Sequence, residues 1–459
     1  MRHKILHLVL ASSVLICGAA SAETAFTNID QALKVAQAKQ LPVFIDFSAT
    51  WCHDCHAMDA KVLNGPQWEA EQSHFVLVRS DADSVNGVAW MKKLNIPALP
   101  TYVVLNPDGS ERGLLMGFIP RAKFYPELDR ILSGQDALAK LKQDAAHDSV
   151  EATVKVLRAY DDRDQQQDGL NWYAKLPAAT RKAVTGDPKA AMELAMVQAN
   201  AESRRAWFTQ PRLPAAERAR LIKECRTHAL QAMRGPIGLD DHFNMASTLL
   251  GCASELPKSR QKAIAAAQLP TLKALYDSKI PSAYSGTLRD ATYTLAFYYK
   301  TLGNSAAEKA TYDRAIALGR KALDDGHGGF DVKRDPGMAD VLSGFLDNGG
   351  HEAEYVALEK AMVDAYPDNY SYESFYGEAL LKQGKASEAL PYLQRAARGS
   401  KGTEDNLGIT RSLAKALIAL NRRPEGMKLF NEALQQGRKQ FPKMTQISMD
   451  YWKQSGKVL

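Results

Sequence analysis

The stretch that most constrains how this sequence can fold is LPVFIDFSATWCHDC, residues 41–55. Its first seven residues form a short apolar run rich in Val, Ile and Phe, which predicts a buried strand. A short loop, SATW, follows, and then come two cysteines separated by two residues. Any fold for this chain must therefore place a cysteine pair where a buried strand leads into the next helix.

Strand and helix signals alternate from residue 24 to about residue 135. Strand-like runs occupy 41–47, 74–80, 101–105 and 114–118, and helical patterns occupy 28–40, 84–94 and 121–132, with another helix after the cysteines. A strong turn, Asn-Pro-Asp-Gly, follows the third strand. This alternation predicts an α/β fold with one small sheet and helices on both faces.

Beyond residue 135 the strand signal disappears and the composition turns to Ala, Leu, Glu, Lys and Arg, which predicts an all-α array. A helix, a turn and a second helix recur in its C-terminal half, with turns at Gly303, Gly349, Gly384 and Asn421. Their spacing is close to the unit of about 34 residues in tetratricopeptide repeats, which this region resembles most from 370 to 437. The alternative is a generic helical bundle.

We therefore divide the chain into four segments. They are a signal peptide (the leader) at 1–22, an α/β domain at 23–135, a helical domain at 136–283 and repeats that resemble tetratricopeptide repeats (TPR-like repeats) at 284–459.

The first 22 residues have the features of a cleavable export signal. A basic start precedes an apolar run at 5–16, and the small residues Ala20, Ser21 and Ala22 follow. The run is shorter than the ~20 residues that span a bilayer. A lipoprotein signal at Cys17 is the alternative, but the residue before it, Ile16, is not small. We expect cleavage after Ala22, export to the periplasm or another oxidising compartment, and no membrane span in the mature chain.

Charge argues against a nucleic-acid-binding protein. The formal charge of +6 is spread over 459 residues without a block of Lys and Arg. The mature chain keeps four cysteines, which can form persistent disulfides after export.

Cys52 and Cys55 have the spacing of a redox dithiol, in which one thiolate attacks and the second cysteine resolves the mixed disulfide. A helix N-terminus would stabilise the Cys52 thiolate. Asp46, in the middle of an apolar strand, would be a buried carboxyl group with a raised pKa, suited to exchange protons with Cys55. Pro100 precedes a strand and, as a cis proline, would leave a main-chain edge beside the dithiol for a substrate peptide.

Together these segments resemble the thioredoxin superfamily, and within it the C-terminal periplasmic domain of DsbD-type thiol:disulfide interchange proteins. The matching stretches are LPVFIDFSATWCHDC, LNIPALPTYVVLNPDG and GFIPRAKFYPEL, within residues 24–135. The resemblance implies a thioredoxin-like fold, with Cys52 as nucleophile, Cys55 as resolving thiol, Asp46 as proton relay and Pro100 as the cis proline. Such exchange needs no metal and no organic cofactor.

Five neighbouring residues are expected to contact substrate or to tune the dithiol: Trp51, His53, Asp54, Leu99 and Thr101. The pair His53-Asp54 departs from the usual pairs of these families. A protonated His53 would stabilise the thiolate and Asp54 would oppose it. The sequence therefore leaves open whether the protein reduces, oxidises or isomerises disulfides.

Two other chemistries compete for the same motif. As C-x-x-C-H it fits c-type haem attachment through His56, but Met58 is too close in sequence to reach the opposite face of the iron. We expect His56 instead to be an exposed helix residue near the site. Zinc or copper could bind Cys52, Cys55 and a histidine. A structural zinc site, however, requires four ligands, and the sequence has no second C-x-x-C motif to supply them.

Cys225 and Cys252 lie in helical surroundings. We favour a structural disulfide between adjacent helices, worth roughly 3–4 kcal/mol in the chain-entropy model. A second redox pair and two buried thiols are the alternatives.

The sequence thus predicts an exported thiol:disulfide oxidoreductase that acts on protein thiols and disulfides. The helical repeats would select substrate, dock a redox partner or mediate self-association. The rival functions are a TPR-type scaffold with a structural dithiol and a metal-binding protein.

Overall fold

The computed structural model of this protein describes residues 25–459, except for 135–137, 210–211, 236, 368, 455 and 457–458. The expected leader and its cleavage site after Ala22 lie outside the described residues. The described chain consists of an α/β domain (residues 25–134) followed by a helical part (residues 138–454). No helix in these described ranges is long and apolar enough to cross a membrane.

The α/β domain contains the predicted small sheet. Its strands are β1 (Val43–Ser48), β2 (Val76–Asp81), β3 (Thr101–Leu105) and β4 (Glu111–Met116), and their order across the sheet is β2-β1-β3-β4. β1 pairs in parallel with β2 and antiparallel with β3, and β3 pairs antiparallel with β4. The last strand begins earlier than the 114–118 run suggested, because its pairing with β3 extends to Glu111.

Helices cover both faces of this sheet, as the alternation predicted. They are α1 (Ile29–Lys39), α2 (His53–Lys61), α3 (Gly65–Glu71), α4 (Val85–Leu94) and α5 (Arg121–Leu132). In β1, Val43, Ile45 and Phe47 pack on the side of α1 and α4, whereas Phe44 packs on the side of α2, α3 and α5. Because side chains alternate along a strand, Asp46 faces the same side as Phe44, toward the helix that carries the cysteines.

The helical part confirms the loss of strand signal beyond residue 135. Its helices are α6 (Leu138–Ala146), α7 (Val150–Asp161), α8 (Gln166–Ala174), α9 (Ala178–Gly186), α10 (Pro188–Phe208), α11 (Ala215–Ala232), α12 (Leu239–Ala253), α13 (Lys258–Lys279), α14 (Ser285–Leu302), α15 (Ser305–Leu323), α16 (Pro336–Asn348), α17 (Glu352–Ala365), α18 (Tyr370–Lys382), α19 (Ala386–Gly399), α20 (Asn406–Ala419), α21 (Arg423–Gln440) and α22 (Pro442–Gln454).

The four turn positions read from the sequence fall between consecutive helices. Gly303, Gly384 and Asn421 have left-handed φ angles of 79°, 74° and 61°, the conformation that stops a helix. Gly349 keeps right-handed backbone, and the next residue, Gly350, takes the left-handed conformation with φ of 76°. The structure therefore contains the predicted helix-turn-helix pattern. At one turn the left-handed residue that ends the helix is Gly350, one position after the predicted Gly349.

Cys225 in α11 and Cys252 in α12 are joined by a disulfide. Both cysteines are fully buried in the contact between the two helices. A partner thiol has no access to these sulfurs, which argues against a second redox centre.

Replacing both residues with alanine (C225A/C252A) is expected to destabilise the helical part by ~3–4 kcal/mol, because the unfolded chain regains the freedom of a loop of about 28 residues. Urea unfolding followed by far-UV circular dichroism measures this. Reduced protein with Cys225 and Cys252 intact is the control that separates loss of the bond from loss of two buried sulfurs. An unchanged unfolding midpoint would show that the bond does not form.

The helical part packs directly on the helix that carries the dithiol. α16 lies against α2, and Asp335 at its start forms an ion pair with Lys61 at the end of α2. Gly337 permits the close approach, since a Cβ atom there would stand 3.2 Å from the Cβ atom of Ala57. Both the α/β domain and the helical part therefore form the surroundings of Cys52 and Cys55.

Candidate active site

Cys52 and Cys55 stand at the N-terminus of α2, joined by a disulfide. The N–H of Cys52 donates to the carbonyl of Ala49 at 3.0 Å, which turns the chain from β1 into the helix. Cys52 is the N-cap residue, and its Sγ accepts a hydrogen bond from the N–H of Cys55 at 3.1 Å. The free N–H groups and the dipole at this end of the helix favour a thiolate at Cys52 after reduction.

Both cysteines are nearly closed off from solvent, with Cys52 5% and Cys55 4% exposed. They pack with Ala49 and Ala82, and the half-buried side chains of Trp51, Met91 and Leu99 surround this cluster. Two of the residues expected from the sequence to contact substrate, Trp51 and Leu99, are therefore beside the dithiol.

The peptide bond between Leu99 and Pro100 is cis, the isomer that the resemblance implied. Thr101 begins β3 directly afterwards and pairs with Phe47 of β1, so the proline loop is attached to the strand that leads to the cysteines. The buried Thr101 hydroxyl donates to the carbonyl of Ala98 at 2.7 Å and holds the loop in place. Thr101 thus stabilises the loop and does not itself reach the surface.

Asp46 is the buried carboxyl group of the site, with 3% of its surface exposed. Burial and the negative charge of Asp59 raise its pKa to about 7, against an opposing effect of Arg79. The nearest approach of Arg79 is 3.9 Å, and this arginine also bonds to Asp59 at 3.1 Å. A carboxyl group with this pKa can accept or release a proton near neutral pH, as a proton relay requires.

Trp51 lies between the two parts of the protein. Its indole N–H donates to Asp83 at 2.7 Å, and its ring also packs beside Tyr370 of α18 and Ile409 of α20. The α/β domain thus contacts one side of the Trp51 side chain, and the helical part contacts the other side.

His53 points into the helical part. Its Nδ1 lies 2.6 Å from an oxygen of Asp340 in α16, and its ring stacks on Tyr372 of α18 with centroids 4.6 Å apart. Although burial opposes a charged imidazole, the hydrogen bond and the charge of Asp340 hold the pKa of His53 above its usual value. The histidine beside the nucleophile is therefore favoured in its protonated form.

Asp54, the second residue between the cysteines, also faces the helical part. Burial raises the pKa of its carboxyl group, while the guanidinium of Arg289 in α14 opposes this rise. Asp54 thus meets a cation from the helical part, and its charge is partly offset.

The expectation that His56 is an exposed residue is wrong. Its ring is half-buried and stacks on Tyr366, with centroids 4.9 Å apart, and its Nε2 lies 2.9 Å from the carbonyl oxygen of Thr50. The same carbonyl accepts a hydrogen bond from Asn369 at 2.8 Å. The reason is that the helical part packs on α2 and covers His56. The local sequence pattern around His56 contains no information about this long-range contact.

Sequence reasoning missed every residue that the helical part contributes to the site. Among these are Arg289, Asp340, Glu359, Tyr366, Asn369, Tyr370, Tyr372, Phe375 and Ile409. No short motif joins them to the cysteines. The one available signal is the density of aromatic residues in DAYPDNYSYESFYG, residues 364–377, which is more than a helix core needs.

The geometry gives the metal-binding alternative no support. The described residues hold no group of three or more His, Cys, Asp or Glu side chains that could bind a metal ion. The two cysteines are bonded to each other, and the nearby histidines contact Asp340 and the Thr50 carbonyl.

Comparisons with known proteins agree with this architecture. A family model described as thioredoxin-like matches residues 24–107, and one described as a tetratricopeptide repeat matches residues 380–446.

Individual relatives match between 22% and 27% of the chain. The chain is 29% identical over 105 residues to the thiol:disulfide interchange protein TxlA of Synechococcus elongatus, a match covering 22% of this chain and 52% of TxlA. It is 32% identical over 148 residues to the thiol:disulfide interchange protein DsbD of Cronobacter sakazakii, covering 27% and 25% of the two chains. A thioredoxin structure from Thermus thermophilus shares 30% identity over 23% of this chain and 85% of that chain, with a TM-score of 0.22.

The chain thus spans about half the length of TxlA and a quarter of DsbD. The N-terminal α/β domain is a thioredoxin-like domain related to those of thiol:disulfide interchange proteins, and an all-helical part with a tetratricopeptide repeat follows it.

Proposed function

We propose that this protein is an exported thiol:disulfide oxidoreductase that exchanges disulfides with protein clients. The observation that carries the proposal is the Cys52–Cys55 disulfide at the N-terminus of α2, beside the cis Leu99–Pro100 bond. The names of the relatives, both thiol:disulfide interchange proteins, support the same chemistry. The basic, apolar and small-residue segments of 1–22 support export, as does a second, buried disulfide, because disulfides persist in oxidising compartments.

In the reducing direction, the Cys52 thiolate attacks one sulfur of a client disulfide. A mixed disulfide forms and one client sulfur leaves as a thiolate. Cys55 then loses its proton and attacks the sulfur of Cys52, which releases the second client sulfur. The dithiol is oxidised by two electrons, the client disulfide is reduced to two thiols, and a dithiol donor must restore the protein. The oxidising direction is the reverse.

Asp46 is proposed to take the proton from Cys55 during the second step. It faces the α2 side of the sheet, and its pKa of about 7 lets it exchange protons at neutral pH. Trp51 and Leu99 would contact the client, and the exposed Pro97 and Ala98 leave the proline loop open to an approaching chain.

The helical part is proposed to choose the client or redox partner. It already contacts Trp51, His53 and His56, so it closes one side of the dithiol and leaves the side of the proline loop for approach. Selection would follow from which chains fit this restricted opening.

Cys55→Ala tests the proposal by trapping. Without the resolving thiol, we expect Cys52 to hold clients as mixed disulfides that a strong reductant releases. Reduced protein is incubated with oxidised client proteins, quenched with an alkylating agent and separated on non-reducing gels. The matched control is Cys52→Ala/Cys55→Ala, which should form none. Absence of reductant-sensitive adducts with Cys55→Ala would contradict the proposed function.

A further inference from the structure

His53 is held by the helical part from two sides. Asp340 of α16 bonds its Nδ1 at 2.6 Å, and the ring of Tyr372 lies parallel to the imidazole, with 9° between the planes. Phe375, from the same helix as Tyr372, meets the imidazole edge-on at 6.1 Å. The orientation of the residue next to the nucleophile is therefore set by helices far away in the sequence.

The charged groups around His53 come from four directions. Asp340 faces it from α16, Glu359 from α17 and Asp54 from α2 itself, and the charge of Arg289 in α14 acts on both Asp54 and Asp340. From α18 it meets the rings of Tyr372 and Phe375, of which Tyr372 carries a titratable hydroxyl group whose pKa burial raises and which stays neutral.

Glu359 does not compete with Asp340 for the histidine charge. It is fully buried, accepts a hydrogen bond from the Ser343 hydroxyl, and burial raises its pKa to about 8. At pH 7 it is therefore mostly protonated and neutral. The ion pair of His53 is made with Asp340.

We propose that Asp340 is a positioning residue of the redox centre: its ion pair keeps His53 charged and fixed beside Cys52, so that the reactivity of the nucleophile depends on the docked helical part. This inference rests on the proposed thiol–disulfide function and adds to it a partner residue from the helical part.

The physical consequence is a favoured positive charge beside the thiolate. The ion pair with Asp340 raises the pKa of His53, and a protonated imidazole next to Cys52 stabilises the Cys52 thiolate. If Asp340 loses its charge, burial is the largest remaining influence on His53 and disfavours the imidazolium. His53 then releases its proton at lower pH than in the parent, and the Cys52 thiolate loses a stabilising positive charge.

The test is Asp340→Asn in a Cys55→Ala background, with the rate of Cys52 alkylation by iodoacetamide measured from pH 4 to pH 9. We expect the ionisation of Cys52 to lie at higher pH in the Asp340→Asn variant than in the parent, because the imidazolium that stabilises the thiolate is less favoured. The nuclear magnetic resonance titration of the His53 ring, identified by its loss in His53→Gln, should move to lower pH. In a His53→Gln background, adding Asp340→Asn should leave the Cys52 ionisation unchanged, since Asp340 acts through the imidazole.

Asp335→Asn is the matched control. It makes the same chemical change at the start of the same helix and removes the other ion pair to α2, that with Lys61. Asparagine keeps the N-cap hydrogen bond that Asp335 accepts from Met338. Asp335→Asn should therefore remove an ion pair to α2 while the pair of His53 with Asp340, and with it the pH of the Cys52 ionisation, stays as in the parent.

An Asp340→Asn profile that matches that of Asp335→Asn would overturn the inference. If Asp340→Asn does not fold, His53→Gln carries the test, since loss of the imidazolium should move the ionisation of Cys52 to higher pH, and an unchanged profile would also overturn it. Failure of the proposed function looks different, because then the Cys55→Ala parent would trap no client.

Discussion

Replacing Cys52 with serine is expected to lower the rate of disulfide exchange by ~10³-fold or more, the scale on which loss of a nucleophile lowers covalent catalysis. The Cys52 thiolate forms the mixed disulfide, and Cys55 cannot take its place because it lies inside the first turn of α2, whereas Cys52 is the N-cap residue at the helix N-terminus that stabilises a thiolate. Reduction of insulin in the presence of a small dithiol, followed by turbidity, measures the rate.

Serine is chosen because its hydroxyl can replace Cys52 Sγ as acceptor for the Cys55 N–H. Loss of activity is then due to lost chemistry and not to a lost helix cap. Circular dichroism should show an unchanged fold. A Cys52→Ser protein that reduces insulin at the parent rate would exclude Cys52 as the nucleophile.

Replacing Asp46 with asparagine is expected to stabilise the α/β domain at pH 8 by up to about 4 kcal/mol. The pKa of Asp46 is raised from 3.8 to about 7, and each unit corresponds to about 1.36 kcal/mol. Because the folded pKa is above the unfolded one, the native protein holds the proton more tightly, and its stability falls as pH rises from about 4 to 7. Asparagine removes this loss.

The parent and Asp46→Asn should therefore be equally stable near pH 4 and differ most above pH 7, as measured by urea unfolding at several pH values. Asp129→Asn, the same change at an exposed position of α5, is the control and should show no such pH-dependent gain. The variant should also resolve mixed disulfides more slowly at pH 7, since the proposed proton acceptor is gone. Equal stability at pH 8 would show that Asp46 is not a buried acid of raised pKa.

Local patterns predicted the α/β domain well. An apolar run of strand length, turn residues and two cysteines directly after the strand specify β1, the loop and the start of α2 without long-range information. The same alternation placed Asp46 within an apolar strand, which is why its burial and raised pKa could be anticipated. The glycines of the helical part likewise marked helix ends, because a left-handed residue stops a helix wherever it occurs.

The environment of the dithiol could not be anticipated in this way. Asn369 bonds the carbonyl of Thr50 across 319 positions of sequence, and Asp340 and Tyr372 reach His53 across similar separations. Helical periodicity shows which residues of α16 and α18 are polar or aromatic, but not which surface they meet. For the same reason the sequence placed His56 in solvent, whereas Tyr366 stacks on its ring.

The sequence by itself determined the α/β order, the cysteine pair at a helix start, the buried carboxyl group and the helical character of everything beyond residue 135, because each follows from contacts between neighbours in the chain. Only the tertiary structure decided that the helical part closes over the dithiol and supplies the partner of His53. That contact depends on how a long series of helices packs, and small rotations at each turn accumulate into a geometry that no local pattern contains.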